Sequence, residues 1–363
     1  MHSRPSLATI ALLLGLVALT SSAPAATMAP FTPPGGLGMD SIPVYAPMSE
    51  FDFQSLNLAL NQEWIELDLF HHGLAQFSVE EFEAAGLDAE DRFLIQYMAE
   101  QELGHATALM NMLGPSAAKP CKYIYPFTDV RSFVDFCQKL TRFGESGVYG
   151  FLEHLDSRAA ANILLQSITT EARQQMIFRQ FEGLFPMPEW FVPSITQSMA
   201  WTLLSPFLQH CPSENPRIEW QLFPPLTVTN NPTPNQENLS PGISNNVTAL
   251  SFPGRELLLS WGSPGKVTGY DGRYTTNTTA GRAHFVGWIS QLNNITYTPL
   301  TNVIGSRGRT IQPGGNIFGN GTAPVINGTM YLVITDAEVF VTPANISMLN
   351  PHIVAGPAVY QSG

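Results

Sequence analysis

The chain reads as a multidomain α + β protein: a four-helix bundle with a fifth helix, then an antiparallel β-sandwich-like domain. Three observations predict this. Apolar residues recur with a helical period from Phe51 to Leu208. From Asn215 onward the texture changes to Pro, Gly, Asn and Thr, broken by short alternating apolar runs. Hydrophobic residues make up 44% of the 363 and charged residues 13%, enough apolar material for sizeable cores and too little charge for a disordered chain.

Residues 1–25 read as a secretory signal. His2 and Arg4 make a weakly positive start, Leu7–Leu19 is a short apolar run, and Ala23-Pro24-Ala25 supplies a small-x-small cleavage pattern. That run is too short for a comfortable membrane span, and no later stretch reaches 18 unbroken apolar residues. Residues 26–50, rich in Pro, Gly, Ala and Met, form a linker or arm.

The helical bundle is assigned to residues 51–212. Its first helix, Phe51–Leu74, carries the stripe Leu56, Leu60, Glu63, Leu67, Phe70 and Leu74, one face at alternating spacings of 4 and 3. A short segment follows, with Ser78 as cap and Glu81 answering it. Asp88 caps the second helix, which runs to Leu113 with the stripe Leu94, Met98, Glu102, His105, Leu109 and Met112. The third helix spans Thr128–Leu155 and the fourth Arg158–Gly183, and their short join makes them antiparallel. The connection Gly114–Phe127, about 14 residues, exceeds an ordinary helix–helix link. It fits the crossover between two helical hairpins that defines ferritin-like topology. A fifth helix, Pro193–Gln209, lies over the bundle. Residues 213–363 form the β-rich domain, with strands expected at Arg255–Trp261, His284–Gln291, Ile295–Leu300, Met330–Thr335 and Glu338–Thr342.

The formal charge of −12 excludes a nucleic-acid binder, because no surplus of Lys and Arg is available to neutralise phosphates. Of the three cysteines, Cys121 and Cys211 lie in non-helical connections and are the pair expected to bond in an oxidising compartment. Cys137 sits in a helical pattern as a small core residue. Seven Asn-x-Ser/Thr sequons cluster late in the chain: Asn238, Asn246, Asn277, Asn294, Asn320, Asn327 and Asn345. After a secretory signal they point to an N-glycosylated C-terminal region, with Pro241 weakening Asn238.

The chemistry lies in the bundle. Glu63, Glu102 and Glu171 each replace an aliphatic residue on the apolar stripe of a helix. Two are followed three residues later by a second polar group, giving Glu102-x-x-His105 and Glu171-x-x-Gln174. Residues i and i+3 share a face, so each pair can converge on one point. Counting along the hairpin of helices three and four places Glu145 level with Glu171; Glu153 is its rival. Buried carboxylates near one another protonate or repel. A pair of divalent cations resolves this, iron or manganese by the hardness of the oxygen ligands. The other resolution is a metal-free polar network, with Arg142, Arg158 or Arg173 balancing charge. A metal site requires the carboxylates of Glu63, Glu102 and Glu171 to converge within ~5 Å around His105. His71, His72, His154, His284 and His352 read as structural or surface residues.

The runs "LNLALNQEWIELDLFHHGL", "MAEQELGHATALMNMLG" and "TRFGESGVYGFLEHLDSRAAANILLQSITTEARQQMIFRQFEGLFPMPEWF" resemble the ferritin-like domain of secreted fungal proteins, the Rds-type stress-response and late-sexual-development proteins. The resemblance implies a ferritin-like bundle, secretion, and a role in stress response or sexual development, without an established reaction. It matches Glu63, Glu102, His105 and Glu171 to the metal-ligand positions of broader ferritin-like relatives. Gln174 departs, standing where those relatives carry His. The expectation is a glycosylated extracellular or cell-wall protein without established catalysis, holding iron or manganese in its core. The alternative is a di-metal oxidoreductase or metal-sequestering protein built on the same site.

Overall fold

The computed structural model describes residues 42–234, 239–293 and 295–363. The signal segment, most of the arm, and Asn238 and Asn294 lie outside the described residues.

Every long helix starts on a side chain that caps its free N–H groups; Asp88, and Ser78 with Glu81 on the short helix, are the caps expected from the sequence. Ser49 caps α1 (Glu50–Gln76), and Ser78 with Glu81 forms a reciprocal box on α2 (Val79–Ala84). Asp88 with Asp91 does the same for α3 (Ala89–Leu113), and Asp129 with Ser132 for α4 (Val130–Leu152). Ser157 caps α5 (Arg158–Phe181) and Thr196 caps α6 (Gln197–Leu204). α6 is shorter than expected. Pro206 lacks a donor, so the chain tightens into a 3-10 turn at Ser205–Phe207 and leaves as a strand.

α1 packs along α3, and α4 along α5. These two hairpins are joined by the long connection. Within it β1 (Lys122–Tyr123) pairs antiparallel with β2 (Leu208–His210), and Cys121 is bonded to Cys211 next to that pairing. The expected disulfide therefore ties the crossover to the end of the helical region, across a sequence separation of 90. Closing a loop of that size restricts the unfolded chain by about 4–5 kcal/mol. Cys211→Ser is expected to lower unfolding free energy by that order, read as a shifted midpoint in chemical denaturation. A shift below about 1 kcal/mol would show the loop is already restrained in the unfolded state.

The remaining strands form two four-stranded antiparallel sheets and a small ribbon. They are β3 (Leu226–Val228), β4 (Glu256–Trp261), β5 (Val267–Thr268), β6 (Tyr274–Thr275), β7 (Phe285–Ile289), β8 (Thr296–Pro299), β9 (Thr301–Ile304), β10 (Arg307–Ile311), β11 (Thr329–Thr335) and β12 (Ile353–Gln361). The strand orders are β3-β4-β10-β9 and β12-β11-β7-β8, with β5 and β6 pairing alone. Leu257 and Leu259 of one sheet pack with Val286, Trp288, Leu332 and Ile334 of the other, a sandwich core.

β11 is buried along its whole length because both of its faces are covered. Met330, Leu332 and Ile334 enter the sandwich core, while Tyr331 and Val333 join the core of the helices. This is the two-residue alternation of a strand used on both sides. The passage from helices to strands falls near Cys211–Pro216, and residues 43–363 form one unit across it.

The expected strand Glu338–Thr342 is absent. Thr342 instead forms a reciprocal box with Asn345 that opens a 3-10 segment, Pro343–His352. β12 escapes sequence reading because Gly356-Pro357 interrupts it. The structure absorbs both residues as a bulge opposite Val333, where pairing jumps from Leu332–Ala358 to Ile334–Ala355. Among the sequons, Asn246, Asn277 and Asn320 are exposed. Asn327 is half-buried, and its amide nitrogen donates to the Pro188 carbonyl.

Candidate metal centre

α1 supplies Glu63, α3 supplies Glu102 and His105, and α5 supplies Glu171. One ligand atom from each lies within 4.8 Å of all the others, meeting the convergence that a metal site requires. The three carboxylates are buried, and the imidazole is 13% exposed. The helices run past one another so that one turn of each contributes its polar residue at the same level. The expected stripe of α3 is rotated slightly: Leu94 is exposed, and Ile95 takes its place in the core.

The histidine is oriented from both sides. Its Nδ1 lies 3.1 Å from Glu63 Oε2 and 3.0 Å from Glu102 Oε2. Its Nε2 lies 3.0 Å from the Thr170 hydroxyl, and that hydroxyl donates its own proton to the Ser167 carbonyl at 2.7 Å. Thr170 can therefore only accept from the imidazole, so Nε2 carries a proton. In the neutral ring the lone pair is then on Nδ1, facing the carboxylates.

Gln174 donates from its amide nitrogen to Glu102 Oε1, at 2.5 Å, and to Gln101. Its carbonyl oxygen is buried with no hydrogen-bond partner among the described residues, and so is Glu171 Oε2. An orphaned buried carboxylate oxygen costs on the order of 1–3 kcal/mol or more. The donors present, three carboxylates and an imidazole with unsatisfied oxygens beside them, fit a divalent cation.

Burial dominates the electrostatics. It pushes the Glu63 carboxyl up to about 8, although His105 pulls it down; Glu102 adds to the rise. Burial, then the neighbouring carboxylates, raises Glu171 well above the usual range. Burial disfavours the His105 imidazolium, but the charges and hydrogen bonds of Glu63 and Glu102 outweigh it and raise the group to about 11. In the metal-free cluster Glu63 and Glu171 are therefore held toward the protonated form and His105 toward the imidazolium.

Glu145 is not brought into this cluster. It is buried on α4, but its Oε2 accepts from Arg142 at 3.0 Å, and Arg142 reaches Glu189 at 3.5 Å. Arg142, one turn earlier on the same helix, supplies the charge partner that a cation would otherwise provide. Burial still raises Glu145 to about 7 against the pull of Arg142. The rival Glu153 is exposed beside His154. His71 and His72 are exposed, with His72 on Gln76 and against Tyr125. His352 pairs with Asp336 at the surface.

Sequence reading missed Glu66. It follows Glu63 by three residues on α1 and is fully buried. Its Oε1 accepts from the Gln62 amide at 2.7 Å, while Oε2 has no partner among the described residues. The signal was its i+3 spacing from Glu63. It was overlooked because α1 is buried on nearly every side from Gln54 to Glu66, so no single stripe marks its core face.

His105 also borders a cavity of about 200 Å³ between α3 and α5, lined by Gly104, Ala108, Leu109, Met112 and Leu164. Of the four ligand residues, His105 is the one that lines it. No helix among the described residues is long and apolar enough to cross a membrane.

Comparison with known proteins agrees with this geometry. A family model described as a ferritin-like domain matches residues 51–184. The chain is 51% identical over 348 residues to Protein rds1 of Schizosaccharomyces pombe, covering 92% of this chain and 86% of that one.

Proposed function

We propose, for a chain that belongs to the fungal Rds1-type ferritin-like proteins, that it is a secreted glycoprotein retaining iron or manganese in the core of its bundle. Its role on this reading is in stress response or sexual development, outside the cell or at the wall. Secretion is supported by the Leu7–Leu19 run with its cleavage pattern and by the exposed sequons.

The observation that carries the metal reading is the convergence of four ligand atoms from three helices, three of them buried carboxylates, beside oxygens that have no partner among the described residues. Glu63, Glu102, His105 and Glu171 would hold the ion. A bound iron or manganese supplies the positive charge these carboxylates lack, together with a one-electron couple. The chain's residues do the rest. Thr170 fixes the imidazole tautomer, and Gln174 holds Glu102 by its amide.

Elemental analysis of protein secreted from a eukaryotic host and never exposed to chelator tests this. At least one equivalent of transition metal per chain is expected, lost in Glu102→Ala. Metal well below one equivalent, unchanged by that substitution, would sink the reading and leave the polar network alone. The cavity at His105 favours a second reading, in which the ion is a redox centre reached by small molecules rather than a retained cargo. Oxygen uptake by the metal-loaded chain, absent in Glu102→Ala, distinguishes the two.

A further inference from the structure

The connection from α5 to α6 carries apolar side chains outward. Met187, Trp190 and Phe191 are exposed, Trp190 by 58%. Phe318, from the β region, is 51% exposed and meets the Phe191 ring edge-on at 6.4 Å. The backbone beneath them is held. The N–H groups of Trp190 and Phe191 both donate to Oε1 of the buried Gln291, at 2.5 and 3.2 Å. The Gln291 amide in turn donates to the Pro324 carbonyl at 3.0 Å. Apolar side chains kept outward together on such a support mark an interaction surface.

Phe318 stands on a loop closed on itself. Asn316 bridges to Pro324, and the Ile317 N–H donates to the Ala323 carbonyl at 2.9 Å. At the tip, Phe318-Gly319-Asn320-Gly321-Thr322, the Gly321 N–H donates to the Phe318 carbonyl at 2.8 Å. Phe318 therefore opens a turn whose third residue is the sequon asparagine, and such a turn keeps its first and fourth Cα within about 7 Å. Asn320 is exposed. Among the described sequons it is the one with an aromatic residue two positions before it; Ser244, Thr275, Val325 and Pro343 hold that place in the others. Thr322, the third member of the sequon, lines a cleft of about 540 Å³ together with Met187 and Trp190.

Resting on the reading of the chain as a secreted glycoprotein, we infer that an N-glycan on Asn320 covers this patch, with its first sugar packed on the Phe318 ring. A pyranose ring has an apolar face, and its C–H groups match the negative face of an aromatic ring. Its hydroxyls point outward and stay hydrated. The turn brings the sugar within reach of Phe318, and the cleft beside Trp190 receives the sugars that follow. The carbohydrate then acts as part of the fold, pinning the loop of the β region to the connection between two helices.

A double-mutant cycle between glycan and ring tests this on protein secreted from a eukaryotic host. Mass spectrometry of the peptide holding Asn320 reads occupancy, and urea unfolding reads stability. With Phe318 in place, Asn320→Gln is expected to lower the folding equilibrium constant on the order of 2–10-fold, the size of one ring contact. In a Phe318→Ala background the same loss of glycan should change it by less than about twofold. Thr322→Ala empties the sequon with Asn320 intact, and gives the same reading if Asn320→Gln folds poorly by circular dichroism. An occupied Asn320 whose loss has equal effects in both backgrounds overturns this inference and leaves the glycoprotein reading standing. So does an unoccupied Asn320 in a chain glycosylated at other sequons. No glycan at any sequon overturns both.

Discussion

Raising the pH from 6 to 8 is expected to destabilise the metal-free chain and to enlarge the stabilisation that metal brings. Glu63 titrates near 4.5 when exposed and near 8 in the fold, because burial disfavours its charge. His105 moves from 6.5 to about 11, its carboxylate neighbours outweighing burial. Glu145 moves from 4.5 to about 7. In each case the folded chain binds the proton more tightly than the unfolded one. The contribution is fully present below the unfolded value and is lost as the pH climbs through the folded value.

Between pH 6 and 8 all three shifts act in the same direction, and each proton of difference is worth about 1.4 kcal/mol per pH unit. The carboxylates held low, Glu80, Asp271 and Asp336, have their window below about pH 5 and do not oppose this. A loss on the order of 3–5 kcal/mol is expected, from urea unfolding of chelator-treated protein across that range. Metal ligands must be deprotonated, so uptake releases protons and its affinity rises with pH. The gain in melting temperature on adding Mn²⁺ should therefore be larger at pH 8 than at pH 6. A metal-free stability that stays flat or rises over this range would mean that the carboxylates are already ionised and paired in the fold.

The second large effect is a trade of stability against binding at Glu171. Its side chain is buried, with one oxygen unpartnered among the described residues. Glu171→Met removes that oxygen and keeps most of the volume. Replacing buried ionic groups by well-packed apolar ones is often stabilising by roughly 1–4 kcal/mol. The metal-free variant is expected to be more stable than the metal-free wild type by that order, while its bound metal falls below one equivalent. A structural carboxyl behaves the other way: its loss destabilises the metal-free chain by more than about 1 kcal/mol. Paired denaturation and elemental measurements on the same preparation read both quantities.

The site was legible where one helix face meets one core. Glu102 and His105 stand on the stripe of α3, and Glu171 on that of α5, so their misplaced polarity shows in the sequence. Glu63 was visible for the same reason, within the spacing of Leu56, Leu60 and Phe70. Glu66 was not, because α1 is enclosed by α3, α4, α6 and the chain around Trp220, and polar residues at many of its positions are buried. Glu145 shows the converse. Counting along the hairpin places it at the right level, but only packing reveals that Arg142 claims it. In the β region, strands with period-two apolar runs were visible. β12 was not, because Gly-Pro in a linear reading marks a turn and here marks a bulge.

The amino-acid order by itself determined the four long helices, the caps at Ser78 and Asp88, the crossover between two hairpins, the cysteines that pair, and the presence of ionisable groups on the inner faces of three helices. These follow from spacing along one chain, which local periodicity records. Only the tertiary structure decided which of those groups meet. It brought Glu63, Glu102, His105 and Glu171 together, diverted Glu145 to Arg142, and buried Glu66 with one carboxylate oxygen unpartnered among the described residues. The reason is physical: a buried charge is governed by whichever partner lies within a few ångströms, and that partner comes from the packing of helices far apart in sequence.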